Sequence, residues 1–228
     1  MKKLAIFVEG QTEQLFVEKL ITEIGGVHQV RISTQSRTGS QILELTGEDE
    51  GDGSKYFVLI FDCQNDEQVM STIRERIVSL QQAGYSAVLG LRDLYPFQLN
   101  ELQDLRDGLA AAAPASTLPV RIHVAVAEVE AWFLQESTHY PRVHTRLDPR
   151  NFKSQFGFDP LVDSAEQFSH PSDLLQNIYN SVGLGYLKTR RHVQRTVGAI
   201  DYANLCFTCR PLLPAFADFY DDVDAFLA

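Results

Sequence analysis

Apolar runs and stretches of helical spacing alternate along the first part of the chain. The first run covers residues 3–8 and is rich in residues that favour β-strands, and Gly10 follows it closely. After Gly10, Phe16, Leu20 and Ile24 recur every four residues, which places them on one face of a helix. The pattern therefore predicts a strand, a tight turn and a helix that packs against a sheet.

The same order of elements returns further along the chain. Apolar runs typical of strands buried on both faces alternate with segments that have the spacing of helices. The predicted strands cover residues 3–8, 27–33, 56–61, 87–91 and 119–126, and the predicted helices cover residues 12–24, 66–82 and 97–113. This alternation indicates an α/β fold, a mostly parallel sheet flanked by helices.

Two regions depart from this alternation. Residues 34–53 are polar and acidic, and we interpret them as mostly loop, with one helical turn around Ile42 and Leu43. Beyond about residue 136 the strand patterns end and prolines divide the chain into short helical pieces, for which the candidates are residues 171–182, 189–200 and 214–226. We therefore predict an α/β domain at residues 1–136 and a helical C-terminal extension at residues 137–228, packed on that domain.

Composition and charge restrict the class of protein. The 228 residues include 30 acidic and 20 basic side chains, for a formal net charge of −10. A protein with this charge does not bind nucleic acid or an anionic membrane as a diffuse polycation, so any anion must bind at a local site. The sequence has neither an apolar run of the ~20 residues that a membrane span requires nor a secretory signal. We therefore expect a cytoplasmic protein without membrane association, and we expect its three cysteines to be reduced thiols.

Acidic residues follow four of the predicted strands. They are Glu9, Asp62 and Asp93 after three strands, and Glu128 with Glu130 after the last strand. The carboxyl ends of parallel strands form one edge of a sheet, where open α/β folds bind their ligands, so we expect these side chains to converge. Neighbouring carboxylates repel one another unless a cation neutralises them, and all-oxygen ligands suit Mg²⁺ or Mn²⁺. The pattern predicts a divalent metal site; the alternative for each acid taken singly is a helix cap or a first-turn residue.

Three motifs resemble those of toprim domains, the small α/β metal-binding modules of topoisomerases, primases, recombination proteins and overcoming-lysogenisation-defect nucleases. VEGQTE at residues 8–13 resembles their opening motif, and GLRDLYP at residues 90–96 lies where they carry an Asp-x-Asp motif. EVEAWF at residues 128–133 resembles the Glu-Ala-Trp signature of a toprim-like bacterial family, domain of unknown function 4276. The resemblance implies a toprim-like, Rossmann-like sheet with a helical extension.

The resemblance also implies roles for individual acids. Glu9 matches a glutamate that acts as general acid or base beside the scissile phosphodiester, and we include it in the expected metal site. Asp93 matches an aspartate that binds Mg²⁺, and Glu13 matches a second metal-binding acid of the nuclease branch.

One position departs from the toprim pattern. Tyr95 stands where the second aspartate of Asp-x-Asp would be, which removes one metal ligand. Glu130 or Asp62 would compensate if the sheet brings either within reach. Arg92 adjoins Asp93, and at the same edge its guanidinium would stabilise the charge that develops on a phosphate.

A basic segment stands out in this acidic protein. Lys188, Arg190, Arg191 and Arg195 are candidates for contacts with the phosphates of a nucleic acid. The alternative is a solvated helix face whose cations pair with surface acids.

These observations favour a toprim-type phosphodiester hydrolase, a nuclease that depends on Mg²⁺ or Mn²⁺. The resemblance implies a role in a bacterial anti-phage or mobile-element system, alongside a separately encoded ATPase. The main alternative is a catalytically degenerate toprim-like subunit that binds or senses with a protein partner, which the net charge of −10 favours. A third alternative is a phosphotransfer or nucleotide-cleaving enzyme that acts on small molecules. The sequence leaves the substrate and the oligomeric state open.

Overall fold

The computed structural model describes residues 1–26, 30–38, 41–44 and 54–228. The strands are β1 (Lys2–Val8), β2 (Val30–Thr38), β3 (Gln41–Glu44), β4 (Tyr56–Asp62), β5 (Ala87–Asp93) and β6 (Val120–Ala125). The α-helices are α1 (Gln11–Gly25), α2 (Asp66–Gln82), α3 (Leu102–Ala112), α4 (Glu130–Gln135), α5 (His139–Val143), α6 (Phe152–Phe156), α7 (Pro171–Asn180), α8 (Arg190–Ala199), α9 (Tyr202–Asn204) and α10 (Pro214–Leu227). Short 3₁₀-helices lie at Leu99–Glu101, Pro149–Asn151, Ala165–Gln167 and Arg210–Leu212, and a π-helical turn lies at Leu205–Cys209.

The strands form one sheet in the order β3-β2-β4-β1-β5-β6. β1 pairs in parallel with β4 and with β5, and β2 pairs in parallel with β4. The Val88 N–H donates to the Pro119 carbonyl, and the Leu94 N–H donates to the Ala125 carbonyl. Both partners advance together along the chain, so β6 is also parallel to β5. The predicted α/β fold with a mostly parallel sheet is therefore confirmed.

The edge strand β3 corrects the prediction for this part of the chain. β2 continues to Thr38, and β3 pairs antiparallel with it, with Arg37 opposite Ile42. The prediction of a helical turn around Ile42 and Leu43 was wrong. Two adjacent apolar residues fit a helical turn or a short strand, and the unpaired backbone groups at the edge of β2 favour the strand. The rest of the predicted loop at residues 45–53, and the predicted strand start at residues 27–29, lie outside the described residues.

The chain divides into two compact units. The first comprises residues 1–92, 101–124 and 221–228, and the second comprises residues 93–100 and 125–220. The predicted domain boundary at residue 136 stays a prediction. In the first unit, alternate residues of β1 and β4 share one face of the sheet because side chains alternate along a strand. Phe7, Phe61 and other residues of that face pack with Ile73 and Ile77 of α2 in one hydrophobic cluster.

The second unit has an aromatic core of its own. Trp132 of α4 is fully buried, and its ring centroid lies 5.3 Å from that of Phe216 and 6.1 Å from that of Phe219. Tyr140 packs edge-on against Phe152, with ring centroids 4.7 Å apart. Such contacts stabilise the short helices, which are too brief to be stable on their own.

Cys63, Cys206 and Cys209 are free, and all three are buried. Burial raises the pKa of the Cys63 and Cys209 thiols to about 12, so neither is an activated nucleophile. Within the described ranges, the structure has no helix that combines the length and the apolar character needed to cross a membrane.

Candidate metal centre

Three acidic side chains of the second unit approach one another closely. Asp93 ends β5, Glu128 lies between β6 and α4, and Glu130 begins α4. One carboxylate oxygen of each lies within 4.8 Å of the others. No other group of three or more acidic, histidine or cysteine side chains meets this condition in the described part of the chain. We refer to Asp93, Glu128 and Glu130 as the acidic centre.

Main-chain hydrogen bonds hold the loops of the acidic centre together. The Val129 N–H donates to Asp93 Oδ1 at 3.0 Å, and the Tyr95 N–H donates to the Ala127 carbonyl at 3.1 Å. Ala127 has φ of 59°, a left-handed conformation that is uncommon for a residue with a Cβ atom. The chain thus turns sharply after β6, and the two glutamates that follow are held beside the end of β5.

Glu130 is the most deeply buried member of the acidic centre, with 0% of its surface exposed. The Tyr186 O–H donates to its Oε1 at 2.9 Å, whereas its buried Oε2 makes no hydrogen bond with any residue that the structure describes. Lys188 Nζ lies 3.3 Å from Oε2, close enough for an ion pair but without hydrogen-bond geometry. Burial raises the pKa of Glu130, and the charge of Glu128 raises it further against the opposing effect of Lys188.

Glu128 has a more complete set of partners. Its Oε1 accepts a hydrogen bond from Lys188 Nζ at 2.9 Å, and its Oε2 accepts one from the Ser172 N–H at 2.9 Å. Ser172 lies in the first turn of α7, where unpaired N–H groups and the helix dipole favour an anion. Burial alone would raise the pKa of Glu128, but the bonds with Ser172 and Lys188 outweigh it and lower the pKa.

Lys188 supplies a cation to the acidic centre. It has φ of 52°, in the left-handed region, and it directly precedes the helical segment that begins after Thr189. Burial alone would lower the pKa of the ammonium group, but the charges of Glu130, Glu128 and Asp93 outweigh it and raise the pKa. With every group ionised, three carboxylates and one ammonium leave the centre negative.

This donor set fits a divalent cation. Its ligand atoms are all carboxylate oxygens, one buried oxygen of Glu130 has no hydrogen bond, and the net charge is negative. Such oxygen-rich sites suit Mg²⁺ and Mn²⁺. A buried acidic group that can hold a metal ion is therefore present, as the strand ends predict, while the identity of the ion stays a prediction.

The predicted ligands divide between the two units. Asp93 and Glu130 belong to the acidic centre. Glu128 was among the acids expected to converge at the strand ends but was not named as a metal ligand, although its spacing of two residues from Glu130 was a usable signal.

The other predicted site residues lie in the first unit and are not members of the acidic centre. Glu13 is buried in the first turn of α1, Arg92 is buried in β5, and Glu9 is half-buried. Asp62 ends β4, where it accepts hydrogen bonds from the Gln64 N–H at 2.8 Å and from the Ser36 hydroxyl at 3.3 Å. Burial raises the pKa of Asp62 despite these bonds. The catalytic and metal-binding roles of these four residues stay predictions.

The predicted nucleic-acid-binding residues have different surroundings. Lys188 Nζ lies against the carboxylates of the acidic centre. Arg190 and Arg191 are exposed at the start of α8. Arg195 donates to the Gly185 carbonyl, and its guanidinium lies 4.9 Å from the ring centroid of Tyr179. Arg190 and Arg191 are therefore the two best placed to contact a phosphate.

Comparison with known proteins identifies the family of the chain. Neither a curated protein nor a solved structure matches it. The family described as "Domain of unknown function (DUF4276)" matches residues 8–223, a range that includes all three acids of the acidic centre. The chain therefore belongs to the DUF4276 family, as the Glu-Ala-Trp motif predicts.

Proposed function

We propose that this protein is a toprim-type, metal-dependent phosphodiester hydrolase that acts on nucleic acid. The observation that carries the proposal is the close approach of Asp93, Glu128 and Glu130, whose carboxylate oxygens lie within 4.8 Å of one another. A centre of this kind is costly to fold because like charges repel and burial disfavours ionisation, so a function at the site is the best account of it. The toprim-like motifs supply the class of reaction.

The acidic centre would hold Mg²⁺ or Mn²⁺. A divalent ion, when bound, acts as a Lewis acid that stabilises negative charge on a phosphate. The chain contributes the orientation of the ligands, because the Val129 N–H fixes Asp93 and the Tyr186 O–H fixes Glu130.

Further roles follow from the resemblance and belong to the same proposal. Glu9 would move a proton as general acid or base, with Glu13 and Asp62 as auxiliary metal ligands, and Arg92 would stabilise the charge that develops on the phosphate. Arg190 and Arg191 are exposed, as residues that contact the nucleic-acid backbone must be. A separately encoded ATPase and a role in anti-phage defence or in a mobile element complete the proposal.

Metal binding and cleavage together test this function. Binding of Mn²⁺ would be measured by calorimetry, and cleavage of plasmid, single strands, RNA and nucleotides would be assayed with Mg²⁺ or Mn²⁺ and with EDTA. We expect Asp93→Asn and Glu130→Gln to abolish metal binding and cleavage, and Glu9→Gln to abolish cleavage alone. Asp218→Asn, which changes an exposed acid on α10, is the matched control and should behave as the wild type. Cleavage that survives in both Asp93→Asn and Glu9→Gln would refute the proposal.

The degenerate binding or sensing subunit remains the second candidate, because two observations favour it. Lys188 already supplies a cation to the acidic centre, and Tyr95 stands where the toprim pattern has an aspartate. This candidate predicts that the wild type takes up no divalent metal. It also predicts that Tyr95→Asp, which restores the missing carboxylate, creates metal binding.

A further inference from the structure

A cavity of about 260 Å³ lies in the second unit beside the acidic centre. Three chain segments line it, residues 94–99, 126–127 and 166–170. The first segment begins directly after Asp93, and the second ends directly before Glu128. The third ends two residues before Ser172, whose N–H donates to Glu128 Oε2. Every wall of the cavity is thus continuous with a residue that forms or orients the acidic centre.

The mouth of the cavity presents aromatic rings to solvent. Tyr95 is 55% exposed and Phe97 is 42% exposed, although side chains of this kind are usually buried. The His170 ring stands edge-on to the Tyr95 ring, with centroids 6.5 Å apart. The main chain of this segment is fixed, because the Tyr95 N–H donates to Ala127 and the Phe97 N–H donates to the Leu94 carbonyl. The main chain that carries both rings is therefore fixed directly after Asp93.

Polar groups also line the cavity. Gln167 and Ser169 are exposed there and offer amide and hydroxyl groups to a ligand. The carboxylate of Glu166 is already engaged, because it accepts hydrogen bonds from Trp132 Nε1 and from the Phe216 N–H in the first turn of α10. The site combines exposed aromatic rings with hydrogen-bonding groups, which is the chemistry that recognises a planar heterocycle.

We infer that this cavity binds one unpaired nucleobase of the substrate, stacked on Tyr95, while the adjoining phosphate lies at the acidic centre. The inference rests on the proposed function and names its substrate class, single-stranded nucleic acid or a nucleotide. The volume lies below the roughly 300–1,000 Å³ typical of pockets for larger ligands, and it suits one ring system. A base paired within a duplex keeps its faces stacked on its neighbours and does not enter such a cavity.

The test uses the full chain and compares three variants with the wild type. Tyr95→Ala removes the stacking ring, Tyr95→Phe keeps it, and Phe207→Ala removes an aromatic ring of the second unit that is 74% exposed outside the cavity. Each protein would be titrated with a nucleoside in the absence of metal, and with a mononucleotide, a short single strand and its abasic counterpart in the presence of Mn²⁺. Trp132, the single tryptophan, contacts Glu166 in the cavity wall, so its fluorescence reports ligand entry.

We expect Tyr95→Ala to weaken binding of the nucleoside and of the single strand by about 5- to 150-fold, the loss that removal of one base–aromatic stack produces. Tyr95→Phe and Phe207→Ala should bind as the wild type does, and the abasic strand should bind the wild type as weakly as the intact strand binds Tyr95→Ala. A single strand that binds more tightly than a mononucleotide identifies the polymer as the substrate, and equal affinities identify the nucleotide.

Failure of this inference differs from failure of the proposed function. Equal affinity of wild type and Tyr95→Ala for the nucleoside and the single strand would overturn the base-binding cavity, even where metal binding and cleavage depend on Asp93. Absence of metal binding would overturn the proposed function alone, because the nucleoside titration contains no metal.

Discussion

Two buried glutamates at opposite ends of one short helix have opposite electrostatic surroundings. Glu130 begins α4 and Glu136 follows its last residue, and both have 0% of their surface exposed. The carboxylate of Glu130 has one hydrogen bond, from Tyr186, and an ion pair with Lys188. The pKa of Glu130 is raised, whereas that of Glu136 is lowered to about 2.

The difference lies in the number of donors that surround each carboxylate. Glu136 Oε1 accepts hydrogen bonds from the Thr138 N–H and hydroxyl and from Asn204 Nδ2. Its Oε2 accepts bonds from the His139 N–H at 3.0 Å and the Asp201 N–H at 3.2 Å. Burial alone would raise the pKa of Glu136, but the side chains of His139, Thr138 and Asn204, with the charge of the His139 ring, outweigh it and lower the pKa.

Burial therefore does not distinguish the two carboxylates, whereas the completeness of the donor set does. Both oxygens of the Glu136 carboxylate accept hydrogen bonds from groups of its own fold, and they join residues 138–139 to residues 201–204. Glu130 lacks a hydrogen bond at one oxygen and lies beside two other acids, so it has capacity for a ligand.

The largest expected effect is a difference in stability between variants of the two glutamates. Glu136→Gln places an amide NH₂ among groups that already donate, so we expect it to lower the free energy of unfolding by about 3–5 kcal/mol. Glu130→Gln keeps an acceptor for Tyr186 and relieves repulsion with Glu128, so its effect should be less than about 1 kcal/mol. Urea denaturation at pH 7 measures both. Equal losses of stability would contradict the distinction drawn between the two sites.

The contributions of the two glutamates to stability should depend on pH in opposite directions. The pKa of Glu136 falls from 4.5 to about 2 on folding, so its contribution is complete above pH 4.5 and is lost as the pH falls through 2. The loss corresponds to about 3 kcal/mol. The raised pKa of Glu130 acts the other way, because the folded state then binds the proton more tightly, and its contribution is lost as the pH rises. Free energies of unfolding would be measured from pH 2 to 7. Glu136→Gln should lose less stability at acid pH than the wild type does, and an equal loss would show that Glu136 is not the group responsible.

Metal should stabilise the protein through one glutamate and not the other. Mn²⁺ at 100 times its Kd raises the free energy of unfolding by about 2.7 kcal/mol when it binds only the folded state. We expect this increment in the wild type and in Glu136→Gln, but not in Glu130→Gln. Thermal or urea unfolding with and without Mn²⁺ measures it, and an increment that persists in Glu130→Gln would place the ion elsewhere.

The smallest effect concerns the ammonium that accompanies Glu130. Lys188→Met removes the cation from the acidic centre, so we expect a loss of about 1 kcal/mol of stability without metal, since this lysine is partly exposed. Mn²⁺ should bind this variant more tightly, because the ion no longer competes with an ammonium. Lys153→Met, which removes an exposed lysine paired with Asp163, is the control and should leave metal affinity unchanged. Weaker Mn²⁺ binding by Lys188→Met would show that the lysine helps to hold the ion.

Sequence reasoning reached the parallel sheet because strands such as β4 carry continuous apolar runs, a pattern that depends on local residues alone. It missed β3, because its pairing depends on an edge supplied by β2. Asp93 and Glu130 were found because acids that follow parallel strands lie at one edge of the sheet.

The partners of these acids were beyond the reach of the sequence. Lys188 and Glu128 are 60 residues apart in the chain, and the basic residues that follow Lys188 suggested a solvated or nucleic-acid-binding face. The left-handed backbone of Lys188 and its ion pairs arise only from tertiary packing. The place of Tyr95 at a cavity was likewise hidden, although its departure from the toprim pattern was visible.

Lys188 gives this chain an internal counter-ion, with a consequence for the order of assembly. Many small metalloproteins stay unfolded until their ion arrives, because the free energy of binding the ion supplies the free energy of folding. Here the ammonium of Lys188 already offsets part of the repulsion among the carboxylates, so we expect the polypeptide to fold without metal. Loading would then follow biosynthesis as a separate, reversible event, governed by how much divalent ion the surroundings supply.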